Sequence, residues 1–403
     1  MTTDTLPSID WMSEDFQTDV ARACEAIAPY QTGSGLVRSS RGIEIVNYDL
    51  ALKIVRDPKF SLAMPARLRT IGITDGAAAH SFMNFLFSRE GADHLRARRA
   101  CTPWFTASGA EKLRQQTREW VEQWMDENRS NYGDLDFLAK VSNRLPSTLF
   151  CLMIGAPFSD AEFIQHMSEE LMLLTAPPMP GNAERIEDAA AKTRAYLLDQ
   201  AEKRRQDPGD DLLSHMVRVR DTGEIDDDDV LAVVFNALVG STDTTSSQIC
   251  LNLEALAANP DQWELLKKEP SLVSNAVMEL VRYNPGAWSV QRSPYEPMEF
   301  EGLYITPEDT LFPCVFAGNN DASVYPDPRK LDITRELGSS PLNFGTGRHG
   351  CLGRMITLME QEEVLLAAAK KWKSFSVVDS NFSGKMFSTT PTSFRLSVVP
   401  ESE

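Results

Sequence analysis

Phe344 to Gly353 reads FGTGRHGCLG and runs on as RMITLMEQEEVLLAAAKKW to Trp372, a glycine-rich loop that delivers one cysteine to the start of an amphipathic helix. Gly345, Gly347, Gly350 and Gly353 permit left-handed or close-approach backbone that a β-carbon would block. A thiolate at Cys351 would be stabilised by the free N–H groups and the positive dipole end of the helix behind it. Such a thiolate suits a metal, whose own charge depresses the thiol pKa further. The plainer alternative is a small buried cysteine in a turn, and a glycine pattern alone is a weak motif. The rest of the chain has to decide between them.

The chain has 403 residues, for which length alone suggests two or three domains, and its 42% apolar content suffices for a large core. No stretch reads as a signal peptide. The longest apolar run, Val230 to Gly240, is broken by Asn236 and is too short to span a bilayer. The expectation is a soluble, cytoplasmic protein with no membrane partner. Its six cysteines, Cys24, Cys101, Cys151, Cys250, Cys314 and Cys351, show no CxxC and no short spacing, which argues against a disulfide framework and against a zinc site. A net charge of −18 disfavours nucleic acid as a partner.

Helical periodicity dominates the chain. It predicts helices over Glu14–Ala28, with Ser13 as cap and Pro29 beyond the end, then Asp49–Arg56, Leu113–Glu127, Phe137–Ile154, Asp160–Leu174 and Ala183–Arg205. Gly42–Tyr48 alternates as a strand. Ser61–Arg89, with Phe82 and Phe85, reads as an irregular apolar-rich stretch and a candidate pocket wall. Asp93–Phe105 is a basic helical segment whose His94 and Arg98 share a face. The acidic run Glu224–Asp229 caps a helix expected to reach about Asn259, roughly 30 residues and some 45 Å. Phe375–Val399 alternates as a hairpin whose tip, near Met386 and Phe387, is placed to close a pocket.

The middle of the long helix, Gly240-Ser241-Thr242-Asp243-Thr244-Thr245, gathers poor helix formers whose hydroxyls compete for the i−4 carbonyl. A long helix weakened at its centre suggests that something approaches its backbone there. Further on, Glu279 and Arg282 in MELVRYNP stand one turn apart on one helix face. In this order and at these separations, the three stretches resemble the cytochrome P-450 family. Phe344, Gly347, His349, Cys351 and Gly353 match its haem-binding loop. Gly240, Asp243 and Thr244 match its oxygen-binding groove, with Ser241 in place of the usual small glycine. Glu279 and Arg282 match its structural pair, with Arg335 of YPDPRKLDITR as the third member.

The resemblance implies a mainly α, triangular helical fold with small β-sheets. It implies a single domain over residues 1–403: a β-containing N-terminal region to about 90, a helical core from about 91 to 372 and a C-terminal β-hairpin from about 373. It implies haem b with Cys351 as axial thiolate, which favours cleavage of dioxygen. Phe344, Gly345, His349 and Gly353 would shape the haem loop, Gly240 would lie above the haem, and His94, Arg98 and Arg292 would meet its propionates. Thr244 would hydrogen-bond bound dioxygen and Asp243 would relay protons. Phe82, Phe85, Phe235, Asn236, Val239, Ala287, Trp288, Val290, Met386 and Phe387 would line the substrate pocket, with Asn236 either the one polar contact or bonded to a neighbouring helix.

The implied reaction is monooxygenation of a small or medium-sized, mainly apolar substrate, by hydroxylation or O-dealkylation. Electrons would pass from NAD(P)H through a ferredoxin reductase and ferredoxin to a monomer. One alternative is a peroxide-driven or rearranging haem-thiolate enzyme, against which the Asp243-Thr244 pair argues. The other is a non-catalytic haem gas sensor, which calls for a signalling domain that the sequence does not display.

Overall fold

Amphipathic and fully apolar helical segments make up most of the chain, and short strands fill the turns between them. The computed structural model describes residues 5–10, 13, 16, 20–176, 178–383 and 388–401. In chain order the elements begin α1 (Val20–Gln31), β1 (Leu36–Ser39), β2 (Gly42–Ile45), α2 (Tyr48–Arg56), β3 (Phe60–Ser61), α3 (Met64–Thr70) and α4 (Gly76–Met83). Then come α5 (Gly91–Cys101), α6 (Ala107–Glu127), β4 (Leu135–Asp136), α7 (Arg144–Ile154), α8 (Ala161–Met172), α9 (Asn182–Gln206), α10 (Leu212–Asp221) and α11 (Asp227–Ala258). The remainder is α12 (Pro260–Lys268), α13 (Val273–Tyr283), β5 (Ser293–Pro294), β6 (Met298–Phe300), β7 (Leu303–Ile305), β8 (Leu311–Pro313), α14 (Val315–Asn319), α15 (Arg354–Lys371), β9 (Trp372–Phe382) and β10 (Pro391–Pro400). Among the described residues no helix is long and apolar enough to cross a membrane.

The chain divides into two compact units. The first holds residues 1–63, 251–351 and 383–389. Its central strand β2 pairs antiparallel with β1 (Leu36 opposite Ile45) and parallel with β8 (Ile43 opposite Leu311). Ile43, Ile45, Tyr48, Ile54, Ile305 and Leu311 close one core around that sheet. A second core gathers Ile27, Val37, Val46, Trp288 and Phe316.

The second unit holds residues 64–250, 352–382 and 390–403. Here β10 lies between β4 and β9, and α6 and α15 are joined by a buried carboxylate: Glu363 accepts from Arg114 Nη1 and Arg118 Nε, both at 2.7 Å. Short helix α4 begins at Gly76, whose φ of +86° suits a residue without Cβ. Asp75, at the N-cap position, makes no side-chain capping bond. Instead Glu187 of α9 accepts from Ala77 N at 2.6 Å and Ala78 N at 2.8 Å.

Several boundaries differ from the expectation. Ser61–Arg89 is not irregular throughout, since α3 and α4 lie within it. Pro29 sits inside α1 rather than past its end, and the helix continues to Gln31. Phe137–Ile154 opens with a π-helical turn, Leu138–Ser142, before α7. The hairpin is formed by β9 and β10, while Met386 and Phe387 at its tip lie outside the described residues.

Candidate functional site

The cysteine loop belongs to the first unit. Gly345 and Gly347 adopt φ of +54° and +69°, the left-handed region that a side chain would strain. Cys351 N donates to Phe344 O at 2.7 Å and closes the loop, while Arg348 Nη2 donates to Pro58 O at 3.2 Å. Cys351 is the one exposed cysteine among the described residues. Burial pushes the thiols of Cys101 and Cys151 up to about 12 and that of Cys24 up to about 11, and it raises Cys314 strongly as well. Cys250 is buried as well, so among the described residues Cys351 is the cysteine exposed at the surface.

Cys351 opens on a cavity of about 140 Å³ whose apolar side includes Leu52, Val55, Val290 and Phe344 and whose polar side includes Arg292 and His349. A thiol, a guanidinium and an imidazole around an apolar cleft suit a largely apolar group that carries a metal and an anionic substituent. Arg292, buried, is fixed by backbone pairing with Leu311 and donates from Nη1 to Gln291 O at 2.8 Å.

The start of the loop is held from α13. Arg282, fully buried, donates from Nε and Nη2 to the two oxygens of Glu279 at 2.7 and 2.8 Å. Arg335 Nε reaches Glu279 Oε1 at 3.0 Å and Asp332 N does so at 3.3 Å. The Glu279–Arg282–Arg335 triad expected from the sequence is thus assembled, in a buried, hydrogen-bonded form. Arg282 Nη1 also donates to Asn319 O at 3.0 Å and Pro328 O at 2.8 Å. The Asn319 side chain in turn accepts from Leu342 N at 2.8 Å and donates to Asn343 Oδ1 at 2.6 Å, two residues that lead into the cysteine loop. Asn319 was not anticipated, because its role depends on contacts 23 and 37 residues away.

In the second unit, α11 runs unbroken for 32 residues. The predicted central weakness is absorbed by back-bonding: Thr242 Oγ1 donates to Leu238 O at 3.0 Å and Thr244 Oγ1 to Gly240 O at 2.7 Å. Leu238, Val239, Thr242, Asp243 and Thr245 are buried, whereas Gly240 and Thr244 are exposed and Asn236, Ala237 and Ser241 are half-buried. Residues 236, 240 and 244 are spaced by four and form one accessible stripe. At its head, Asn236 has its Oδ1 buried with no partner among the described residues, and its Nδ2 lies 3.8 Å from where a Cβ on residue 240 would stand.

Asp243 turns away from that stripe. Burial pushes its carboxyl up to about 6, opposed by a hydrogen bond from Thr390 Oγ1 to Oδ2 at 3.0 Å. Thr390 was not singled out from the sequence, because its contact with Asp243 spans 147 residues. On α5, His94 is buried and Arg98 half-buried.

The aromatic candidates behave differently from one another. Phe82 and Phe85 are fully buried and pack edgewise on Phe235, with ring centroids 5.9 and 5.5 Å from it. Val290 lines the cysteine cavity. Ala287 makes a backbone bridge with Ser388. Trp288, expected beside the substrate, is instead stacked on Phe316 at 4.2 Å in the core of the first unit, where its large apolar surface is removed from water.

Comparison with known proteins identifies the family. The Cytochrome P450 family profile matches residues 73–368. Luteothin monooxygenase of Streptomyces thioluteus is 29% identical over 368 residues, covering 91% of this chain and 89% of the relative. Nocardicin C N-oxygenase of Nocardia uniformis subsp. tsuyamanensis is 30% identical over 317 residues, 77% of each chain. Among solved structures, CalO2 superposes with a TM-score of 0.89 over 98% of this chain and 100% of its own at 21% identity, which speaks to the fold alone. The fold, the exposed loop cysteine and these matches together establish that the chain belongs to the cytochrome P450 family.

Proposed function

We propose that this P450 is a haem-thiolate monooxygenase that inserts one oxygen atom of O2 into a small or medium-sized, mainly apolar substrate bearing one polar group. The observation that carries the proposal is the single exposed thiol among the described residues, at the mouth of an apolar cavity that also contains Arg292 and His349. The profile match runs through both units, which supports one functional domain over the chain.

Haem, when bound, supplies the activation and cleavage of dioxygen. Cys351 would hold the metal through its thiolate, and Arg292 and His349, with His94 and Arg98, would meet the carboxylates. Thr244 Oγ1 gives up its bond to Gly240 O to offer its proton on the accessible stripe. Asp243, close to neutrality in its titration, takes up and releases protons behind it. Asn236 supplies the polar contact: its Oδ1, buried without a partner among the described residues, accepts from a hydroxyl or N–H group on the substrate. Electrons come from NAD(P)H through a reductase and ferredoxin.

A reduced-plus-CO spectrum tests the thiolate, and NADH-dependent turnover with a ferredoxin and its reductase tests the reaction. A red-shifted band with coupled turnover is expected. Absence of that band in haem-loaded protein refutes the assignment of Cys351, and turnover supported by peroxide but not by the electron chain refutes the monooxygenase reading.

A further inference from the structure

Asp243 is a buried carboxyl with no ion pair among the described residues, and its side chain receives a hydrogen bond from one residue, Thr390. Its backbone carbonyl is occupied by Ser247 Oγ at 2.7 Å, a contact internal to α11. The charged group whose field it feels is Glu169 of α8, which opposes ionisation. From the β10 side the group that faces it is the uncharged Thr390 hydroxyl. Among the described residues no cation therefore offsets the cost of burying the charge.

Thr390 is sterically fixed in two ways. It precedes Pro391, which restricts its backbone to extended conformations, and Pro391 is registered opposite Phe382 in the hairpin. Its β-branched side chain narrows χ1 further. A hydroxyl delivered in this manner loses little freedom when it bonds the carboxylate. Donation to the charged form favours that form.

We propose that Thr390 is the positioning residue for Asp243: its hydroxyl holds the carboxyl in one orientation and favours its ionised state. The proposal rests on the monooxygenase reading for its consequence, since a relay must lose as well as gain a proton. With the hydroxyl removed, Asp243 stays protonated to higher pH and returns its proton less readily.

The test uses the holoenzyme carrying Thr390→Val, which keeps the β-branch and the pre-proline geometry, and Thr390→Ser, which restores the hydroxyl. Isotope-edited infrared spectroscopy follows the protonated carboxyl band of Asp243, assigned by its loss in Asp243→Asn, as a function of pH. A net hydrogen bond of this type corresponds to a shift of roughly one pH unit. The inflection is expected to rise by about that amount in Thr390→Val and to return in Thr390→Ser. An inflection unmoved in Thr390→Val overturns the proposal. The pH profile of product formed per NADH consumed is measured alongside and is expected to move in the same direction. If the infrared inflection shifts while that profile stays fixed, Thr390's hold on Asp243 stands and the relay role of Asp243 falls.

Discussion

Arg282→Ala isolates what the buried triad contributes. The parent guanidinium is fully buried and makes four hydrogen bonds, two to Glu279 and one each to Asn319 O and Pro328 O. The variant leaves Glu279 with Arg335 and the Asp332 amide only. Removing one partner of a buried ion pair costs about 3–5 kcal/mol. Because Arg335 stays, the lower end, about 3 kcal/mol, is expected, which is roughly a hundredfold in the folding equilibrium. With a urea m-value of about 3 kcal/mol/M, the midpoint followed by tryptophan fluorescence falls by about 1 M. Glu279→Leu combined with Arg282→Met should recover much of the loss, since an apolar pair leaves no stranded charge. Arg335→Ala, which removes a partly exposed partner, should cost less. A midpoint for Arg282→Ala within about 0.2 M of the parent at the same m-value refutes the reasoning. A second readout follows from Asn319: loosening its carbonyl disturbs the grip on Leu342 and Asn343, so haem content should drop along with stability.

Cys351→His should bind haem yet lose the red-shifted CO band, and a band that survives would move the ligand to another cysteine. Thr244→Ala should keep substrate binding and first reduction while the ratio of product to NADH consumed falls several-fold; unchanged coupling would remove Thr244 from proton delivery. Asn236→Leu should weaken a substrate bearing the polar group by about 1–3 kcal/mol relative to its deoxygenated analogue. Equal affinity ratios in parent and variant, read from Soret shifts, would exclude Asn236 from recognition.

The parts legible in the sequence were those whose physics is local. Glu279 and Arg282 sit one turn apart, and the loop glycines announce left-handed backbone that Gly345 and Gly347 then adopt. The long helix showed itself through its acidic first turn and apolar continuation. What escaped depends on distant partners. Helix α4 begins at Gly76, soon after Gly72, and is capped by Glu187, so its own residues read as a loop. Pro29 was read as a stop, yet the chain holds the helix for two more residues. Trp288 gave no sign of which way it faces, because its neighbour Phe316 lies beyond an intervening sheet. Thr390 meets Asp243 across 147 residues, and its place before Pro391 restricts its backbone without telling what its hydroxyl reaches.

The cap on α4 has a consequence for how the second unit comes apart. An eight-residue helix lies far below the length that persists alone in water, so its hydrogen bonds exist only while something outside supplies its first turn. That supply is one carboxylate, and a Cβ at position 76 would stand 2.6 Å from it. Residues 76 and 187 are therefore coupled: a side chain at the first displaces the carboxylate of the second. The opening of this segment becomes a local event with its own free energy, separable from global unfolding. Its rate can be adjusted in evolution at a position 110 residues away without altering any residue of the segment itself.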